Sequence, residues 1–262
     1  MTIDRSKRTT FEDKAELYDQ VRPGYPNELV EDILALSEIP DTGRILEIGC
    51  GSGNATIGFA RRGYRMVCIE LGERLAALAA KNCSAYPKVE ILNTAFEDWE
   101  IEDRAFDLAI SGEAFHWIPP EIGYPKVAKA LKDGGSAAFF WILYLEPDTD
   151  FFRAMDEVYS KRVPEFENPN RTMTVEWLTE RIKENFESSN CFGKVTVRQY
   201  PWSEEYTGEQ YVKLTATFSS HQGLDESTKE GLFADMIKVI ERFGGTAVRP
   251  YVGVLFHAKV KR

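Results

Sequence analysis

The sequence lacks any apolar run that approaches the roughly 20 residues needed to cross a bilayer. Its N-terminus, Met1 to Arg8, is polar and has no apolar core of the kind that a signal peptide carries. The four cysteines show neither a C-x-x-C pair nor any spacing typical of metal ligands. We therefore expect a soluble cytoplasmic protein that has reduced thiols and binds no metal, with no membrane partner.

Positive charge is also scarce. There are 32 Lys and Arg residues against 42 Asp and Glu residues, and the formal net charge is -10 at pH 7. An extended nucleic-acid surface needs clustered Lys and Arg, so the balance argues against a nucleic-acid partner, although it leaves room for a local basic cleft. The 262 residues, 43% of them hydrophobic, suffice for one large α/β domain or one domain with an insertion.

One glycine-rich stretch organises the rest of the chain. Residues 44–48 are typical of a buried parallel strand, because branched apolar side chains surround a single carboxylate, that of Glu47. Glycines then alternate with other residues, and a helix is predicted from Ala55. A strand, a glycine loop and a helix start together indicate a nucleotide site, since glycine lets a ligand approach the backbone. The spacing is not the dinucleotide G-x-G-x-x-G, because Asn54 stands where its third glycine would fall.

The pattern E-x-G-x-G-x-G resembles motif I of the class I S-adenosylmethionine-dependent methyltransferases. A carboxylate just before the loop would repel a diphosphate but suits a ligand that carries an ammonium group. The alternative is a turn that needs glycine only for its backbone angles. The resemblance implies S-adenosylmethionine as the cofactor, bound by the motif residues Glu47, Gly49, Cys50, Gly51 and Gly53.

An acidic residue ends the second predicted strand, about 20 positions after the glycine loop. This residue, Glu70, is placed to accept hydrogen bonds from ribose hydroxyls. The family has an acid at the same place, and the resemblance implies that Leu71 faces the adenine. The alternative is that Glu70 only caps the helix that is predicted from Glu73.

The family meets the adenine again just after the third strand. Ala95 and Phe96, with Thr94 before them, match by position. The acid that is usual at the first of these positions is absent, which leaves Glu97 or Asp98 as candidates for the adenine amino group.

The segment Y-D-x-x-R-P-x-Y-P, which begins at Tyr18, resembles a signature of the trans-aconitate methyltransferase group. In that group the segment lies over the cofactor as a lid. The resemblance implies that Tyr18 and Arg22 lie near the methionine end, where a guanidinium can pair with its carboxylate. The alternative is a solvated arginine beside a proline turn.

Residues 111–120 follow the fourth predicted strand and match the family's motif IV by position. Ser111 is assigned to the cofactor, and His116 and Trp117 to the acceptor, since the His-Trp pair recurs in the trans-aconitate-like group. The titration range of histidine suits removal of a proton from the acceptor. If the acceptor is a carboxylate, no base is needed and His116 would only orient it. The alternative is a histidine satisfied by the backbone while Trp117 packs under the lid.

The resemblance implies a doubly wound, Rossmann-like α/β sheet of seven strands, the last antiparallel, with helical insertions in the C-terminal half. We treat residues 1–262 as one domain: a lid and helix at 1–40, a cofactor-binding core at 41–145, and helical cap elements around strand six at 146–250. Aromatic side chains near the late strands are candidates for an apolar pocket: Trp141, Tyr144, Phe151, Phe152, Tyr159, Trp202, Tyr206, Tyr211 and Phe218.

The predicted function is transfer of a methyl group from S-adenosylmethionine to a small molecule, with a carboxylate or hydroxyl oxygen favoured. The alternatives are an RNA or protein methyltransferase and a non-catalytic domain that binds the cofactor. A dinucleotide-dependent oxidoreductase is made unlikely by the glycine spacing. The identity of the acceptor and the oligomeric state stay open.

Overall fold

A seven-stranded mixed sheet forms the centre of the molecule. The structure, a computed structural model, describes residues 21–166 and 173–261. Its strand order is β3-β2-β1-β4-β5-β7-β6. The strands are β1 (Arg44–Ile48), β2 (Arg65–Glu70), β3 (Val89–Asn93), β4 (Phe106–Gly112), β5 (Leu131–Tyr144), β6 (Thr196–Thr207) and β7 (Thr246–Lys259).

Helices lie between the strands in the first half and follow one another in the second. In chain order they are α1 (Asn27–Ser37), α2 (Asn54–Ala60), α3 (Glu73–Asn82), α4 (Pro120–Ala130), α5 (Asp150–Arg162), α6 (Val175–Ser189), α7 (Gly208–Ala216), α8 (Ser219–Gln222) and α9 (Glu226–Arg242). A single 3₁₀ turn, Phe115–Trp117, precedes α4. None of the described helices is both long enough and apolar enough to cross a membrane.

The first five strands are parallel, and the inner ones, β1, β2, β4 and β5, are buried on both faces, which explains their apolar runs. Leu46 of β1 lies opposite Val67 of β2 and Ala109 of β4. Successive side chains of a strand point to opposite faces, so Leu46 packs in one core cluster and Ile45 in the other. β7 runs antiparallel to both β5 and β6, as predicted.

The strand order reverses between β1 and β4. β1 continues to β2 and β3 on one side, and β4 continues to β5 on the other. In open α/β sheets, ligands bind outside the carboxyl ends of the strands at such a reversal. The glycine loop after β1 and the segment after β4 therefore meet at one edge of the sheet.

A separate apolar cluster joins the helices of the C-terminal half. Leu232, Met236 and Ile240 of α9 are buried in it with Met155 of α5 and Tyr211 of α7. The predicted helical insertions are thus confirmed, and the sheet with its helices is the Rossmann-like α/β architecture that was predicted. Residues 1–20, the first half of the predicted lid and helix region, lie outside the described residues, and Tyr18 is among them.

Candidate active site

A cavity of about 670 Å³ opens at the carboxyl edge of the sheet. This volume lies within the usual range for ligand pockets. Residues that follow β1, β2, β3 and β4 form its walls, together with the end of β5 and one face of α6. The predicted site residues that line it are Arg22, Glu47, Gly49, Cys50, Gly51, Glu70, Leu71, Ala95, Phe96, His116 and Trp117.

The glycine loop has the left-handed backbone that its sequence requires. Gly49, Gly51 and Gly53 have φ angles of 70°, 56° and 95°, which glycine adopts without steric cost. A Cβ on Gly49 would lie 2.3 Å from the Cβ of Ala114, so this glycine lets the loop pack against the segment after β4. A Cβ on Gly51 would meet nothing within 4 Å, which places this backbone directly beside open space.

Gly53 does not line the cavity. It is the residue before α2, and a Cβ there would lie 3.1 Å from Cys83 Sγ. Its place in the motif is explained by the close approach of the helix start to α3. Cys50 does line the cavity, but burial, with the nearby Glu47 carboxylate, raises the pKa of its thiol well above the usual value. Cys50 is therefore an uncharged side chain of the wall.

Glu47 is almost fully buried at the end of β1. The hydroxyl of Thr56 donates to its Oε2 over 2.7 Å, and Cys68 Sγ lies 3.5 Å from the same oxygen. Burial raises the pKa of Glu47 to about 7, and these contacts only partly oppose the shift. A cationic group of a ligand would favour the charged form of this carboxylate, as the sequence argument requires.

The carboxylate of Glu70 accepts hydrogen bonds from two backbone N–H groups. Its Oε2 accepts a hydrogen bond from Gly51 N–H and its Oε1 accepts one from Gly72 N–H, each over 2.8 Å. Gly72 is the residue before α3, but the start of that helix has no side-chain cap, so the capping reading of Glu70 gains no support. The bond to Gly51 ties β2 to the glycine loop. Binding of the ribose by Glu70 stays a prediction.

The segment after β3 forms the next part of the wall. Residues 94–97 line the cavity together with Leu71. Asp98 is exposed and is not among the lining residues. Of the two acids considered for the adenine amino group, Glu97 is therefore the better placed.

Arg22, from the segment before α1, also lines the cavity. Its Nε donates to Thr217 Oγ1 over 3.0 Å, and one terminal nitrogen donates to the Tyr144 hydroxyl over 2.8 Å. Its guanidinium carbon also lies 4.9 Å from the ring centre of Phe218. Arg22 is thus fixed by the second half of the chain and is not a solvated side chain beside a turn.

Ser111 does not line the cavity. It is fully buried, and its hydroxyl donates to the carbonyl of Ile48 over 2.7 Å. This bond joins β4 to the end of β1 just before Gly49. Its observed contact is with the strand that carries the loop, and cofactor binding by Ser111 itself stays a prediction.

His116 lies in the 3₁₀ turn after β4, beside two tryptophans. The indole N–H of Trp141 donates to His116 Nδ1 over 3.0 Å, and the Trp117 ring lies 4.8 Å away between centres. Since an indole nitrogen can only donate, Nδ1 must be unprotonated and the proton of the neutral ring is on Nε2. Burial lowers the pKa of His116 to about 4. The ring is therefore a neutral hydrogen-bond donor at physiological pH.

Comparison with known proteins agrees with this geometry. Residues 45–135 match the family described as a methyltransferase domain. An uncharacterized methyltransferase of Mycobacterium tuberculosis is 30% identical over 139 residues, which cover 52% of this chain and 54% of that protein. The trans-aconitate 2-methyltransferase of Variovorax paradoxus is 29% identical over 109 residues, which cover 41% and 42%.

The chain contains a class I S-adenosylmethionine-dependent methyltransferase domain. The resemblance identified in the sequence is thereby confirmed. A protein from Anaeromyxobacter dehalogenans, assigned as a type II methyltransferase, has the same fold over 91% of this chain and 97% of its own, with a TM-score of 0.68 and 19% identity. The chain spans about half the length of the two curated relatives named above.

Glu113 is a residue of the cavity that sequence reasoning missed. It lines the cavity immediately after β4, and its φ angle of 59° is unusual for a residue with a side chain. Its carboxylate accepts a hydrogen bond from Ile142 N–H. Burial raises the pKa of Glu113 to about 7, partly opposed by that bond and by the charge of Arg22. Residue spacing alone did not distinguish Glu113 from the other residues of the motif IV segment.

Helix α6 supplies a further wall that was also missed. Trp177, Leu178, Arg181, Ile182 and Asn185 line the cavity, and their spacing is that of one helix face. The Arg181 guanidinium lies 5.6 Å from the ring centre of Trp177. The periodicity of this face was visible in the sequence, but which surface it covers depends on the tertiary packing.

Proposed function

We propose that the protein transfers the methyl group of S-adenosylmethionine to an oxygen atom of a small molecule. The observation that carries this proposal is that one continuous cavity joins the glycine loop to a chamber walled by Trp117, Trp141 and Trp177. A cofactor on the loop and an acceptor in the chamber would share one space at the carboxyl ends of β1 and β4.

In this proposal the cofactor lies along the loop side of the cavity. The methionine part approaches Gly51, where the backbone is open, and its ammonium group faces the side on which Glu47 lies. The ribose hydroxyls bind Glu70, and the adenine lies between Leu71 and residues 94–97. Arg22, which is held by Tyr144, supplies the cation that pairs with the methionine carboxylate.

Methyl transfer from a sulfonium is an in-line displacement. The acceptor oxygen attacks the methyl carbon while the carbon–sulfur bond breaks, and S-adenosylhomocysteine leaves. The protein has to hold the reacting atoms in line and exclude water, which can supply much of the rate enhancement. His116 contributes by donating a hydrogen bond from Nε2–H to the acceptor oxygen, which orients it, since Trp141 occupies the other ring nitrogen.

The walls of the chamber favour a small acceptor with an apolar body. Tryptophan side chains and the aliphatic residues Leu178 and Ile182 line the part of the cavity near α6, together with the polar side chains of Arg181 and Asn185. A net charge of -10 gives no general attraction for a nucleic-acid backbone. Both features support a small molecule over RNA as the methyl acceptor.

The test is a transfer assay with methyl-labelled S-adenosylmethionine over small carboxylic acids, phenols and amines. We expect label in an oxygen-linked product from at least one acid or phenol, and none with the Gly51→Val variant. Label only in amines would contradict the oxygen acceptor. Binding of the cofactor without transfer to any acceptor of the panel would favour a non-catalytic domain.

A further inference from the structure

Glu113 differs from the other left-handed residues of the described chain. The other non-glycine residues with positive φ are Glu38, Arg104 and Asn190. Glu38 and Asn190 follow the last turns of α1 and α6, and Arg104 lies in a turn, where this conformation is common. Glu113 alone among them lines the cavity, and strained backbone tends to cluster at functional sites.

The hydrogen bonds of Glu113 account for only part of its carboxylate. Its N–H donates to the carbonyl of Phe140 over 3.0 Å, which continues the ladder between β4 and β5 by one residue. Its Oε1 accepts from Ile142 N–H and takes the place of the next backbone carbonyl. Oε2 receives no hydrogen bond from any described residue. One oxygen of the carboxylate is thus structural, and the other is available to a ligand.

The charged and titratable groups around this carboxylate come from several elements. Arg22 of the N-terminal segment and Tyr144 of β5 both interact with it electrostatically. His116 follows in the next turn, and Arg249 of β7 lies behind the Tyr144 ring at 5.2 Å. Burial outweighs the nearby Arg22 charge, so the pKa of Glu113 is raised and the group can take up a proton near neutral pH.

The histidine cannot serve as the proton acceptor at this site. Nδ1 of His116 already accepts a hydrogen bond from the Trp141 indole N–H, and Nε2 carries the proton of the neutral ring. A hydroxyl group that is methylated must lose its proton, whereas a carboxylate is already ionised. The site therefore needs a second group if its acceptor is a hydroxyl.

We propose that Glu113 Oε2 accepts the proton of a hydroxyl group on the acceptor, which makes the substrate class a phenol or alcohol. This inference rests on the proposed methyl transfer. The hydroxyl oxygen bonds to the methyl carbon, the carbon–sulfur bond breaks, and the O–H proton passes to Glu113. The products are a methyl ether, S-adenosylhomocysteine and a protonated Glu113, which then loses its proton to water.

The Glu113→Gln variant separates this role from the structural one. Glutamine keeps an oxygen that can accept from Ile142 N–H, so the ladder between β4 and β5 is retained, but it cannot take up a proton. A purely structural Glu113 predicts near-wild-type transfer in this variant. Glu38→Gln is the matched control, because Glu38 has the same backbone conformation on the surface and pairs there with Lys259.

The experiment measures kcat/KM for 4-methoxyphenol, 4-nitrophenol and 4-methoxybenzoic acid over a range of pH, with S-adenosylhomocysteine affinity measured in parallel. For wild-type protein we expect kcat/KM with 4-methoxyphenol to rise with pH up to about 7, as Glu113 ionises. Glu113→Gln should lose this rise and about 10²- to 10⁴-fold of the rate, the usual contribution of a general base. The loss of rate should be smaller for 4-nitrophenol, because this phenol ionises without a base from the protein.

Three outcomes would overturn the inference and leave the proposed function standing. These are equal rates of Glu113→Gln and wild type with 4-methoxyphenol, an equal loss for all acceptors, and transfer to the benzoic acid alone. If the wild-type protein does not bind S-adenosylhomocysteine, or transfers the methyl group to none of these oxygen acceptors, the proposed function is contradicted instead. Glu38→Gln should match wild type in every measurement.

Discussion

The Oε2 atom of Glu70 accepts a hydrogen bond from the backbone N–H of Gly51 over 2.8 Å. One side chain thus joins the end of β2 to the loop that follows β1. The same carboxylate accepts from Gly72 N–H at the start of α3. The acid assigned to the ribose therefore also sets the position of the backbone that the methionine part would approach.

Glu70→Ala should weaken binding of S-adenosylhomocysteine. The substitution removes charge-assisted hydrogen bonds, each worth about 1.5–3 kcal/mol, and frees the Gly51 amide. Calorimetry measures the dissociation constant, and Glu73→Ala is the control, since Glu73 is exposed at the start of α3. An unchanged affinity in a folded Glu70→Ala protein would restrict Glu70 to its backbone contacts with Gly51 and Gly72.

Gly51→Val should abolish cofactor binding. The valine side chain would enter the open space beside Gly51, where the cofactor is proposed to approach, and would also strain a left-handed backbone. Gly63→Val is a matched control, because Gly63 has a φ of 84° and equally open surroundings but does not line the cavity. If both variants lost stability alike while Gly51→Val still bound the cofactor, the loop would not be the site.

Arg22→Ala should weaken binding of the cofactor, because Arg22 is the cation assigned to the methionine carboxylate. The expected loss is about 1.5–3 kcal/mol in calorimetry, with a smaller loss for Arg22→Lys, which keeps the charge but not the planar fork. Arg153→Ala is the control, since Arg153 is 54% exposed and forms surface ion pairs with Asp148 and Asp150. Wild-type affinity in Arg22→Ala would restrict Arg22 to packing against Tyr144 and Phe218.

His116→Ala should lower kcat/KM for the acceptor and leave cofactor affinity nearly unchanged, because the ring is assigned to the acceptor oxygen alone. The pKa of about 4 means that His116 is neutral above about pH 5, so it adds no limb to the pH profile near 6.5. Steady-state kinetics across pH 5 to 8 measure both effects. A limb near 6.5 that disappears in His116→Ala would show that the histidine does take up a proton.

Glu47→Gln should raise the stability of the ligand-free protein at neutral pH relative to wild type. Folded Glu47 keeps its proton up to about pH 7, whereas the unfolded chain loses it near 4.5. Between these values the unfolded state binds fewer protons, so the free energy of unfolding falls as pH rises. The full effect is about 3 kcal/mol. Urea unfolding at pH 4.5 and pH 8 gives the difference, and an equal pH dependence of variant and wild type would contradict a buried, protonated Glu47.

Much of the parallel half of the sheet could be predicted from local patterns. The buried parallel strand predicted over residues 44–48 is β1, and the helix predicted from Glu73 begins at that residue. Here the apolar runs are short and end in glycine, proline or an acid. β5 begins at Leu131 and crosses an irregular turn in which Gly134 has a φ of 79° and the register with β4 shifts, and such a break in the ladder arises only when the two strands pair.

The walls of the cavity were harder to predict, because they come from distant parts of the chain. Of the nine aromatic candidates for an apolar pocket, Trp141, Tyr144 and Phe218 line the cavity. Tyr211 instead bonds to the buried Arg249. Periodicity shows that such side chains are buried, but it does not show against which element. Glu113 was missed for another reason: its left-handed backbone and its bond to Ile142 arise only when β4 pairs with β5.

Calorimetric titration of the purified protein with S-adenosylhomocysteine and, separately, with NAD measures directly which cofactor the glycine loop binds. We expect saturable binding of S-adenosylhomocysteine that is weakened in Glu70→Ala and lost in Gly51→Val, with no binding of NAD. Tight binding of NAD without binding of S-adenosylhomocysteine would contradict this expectation.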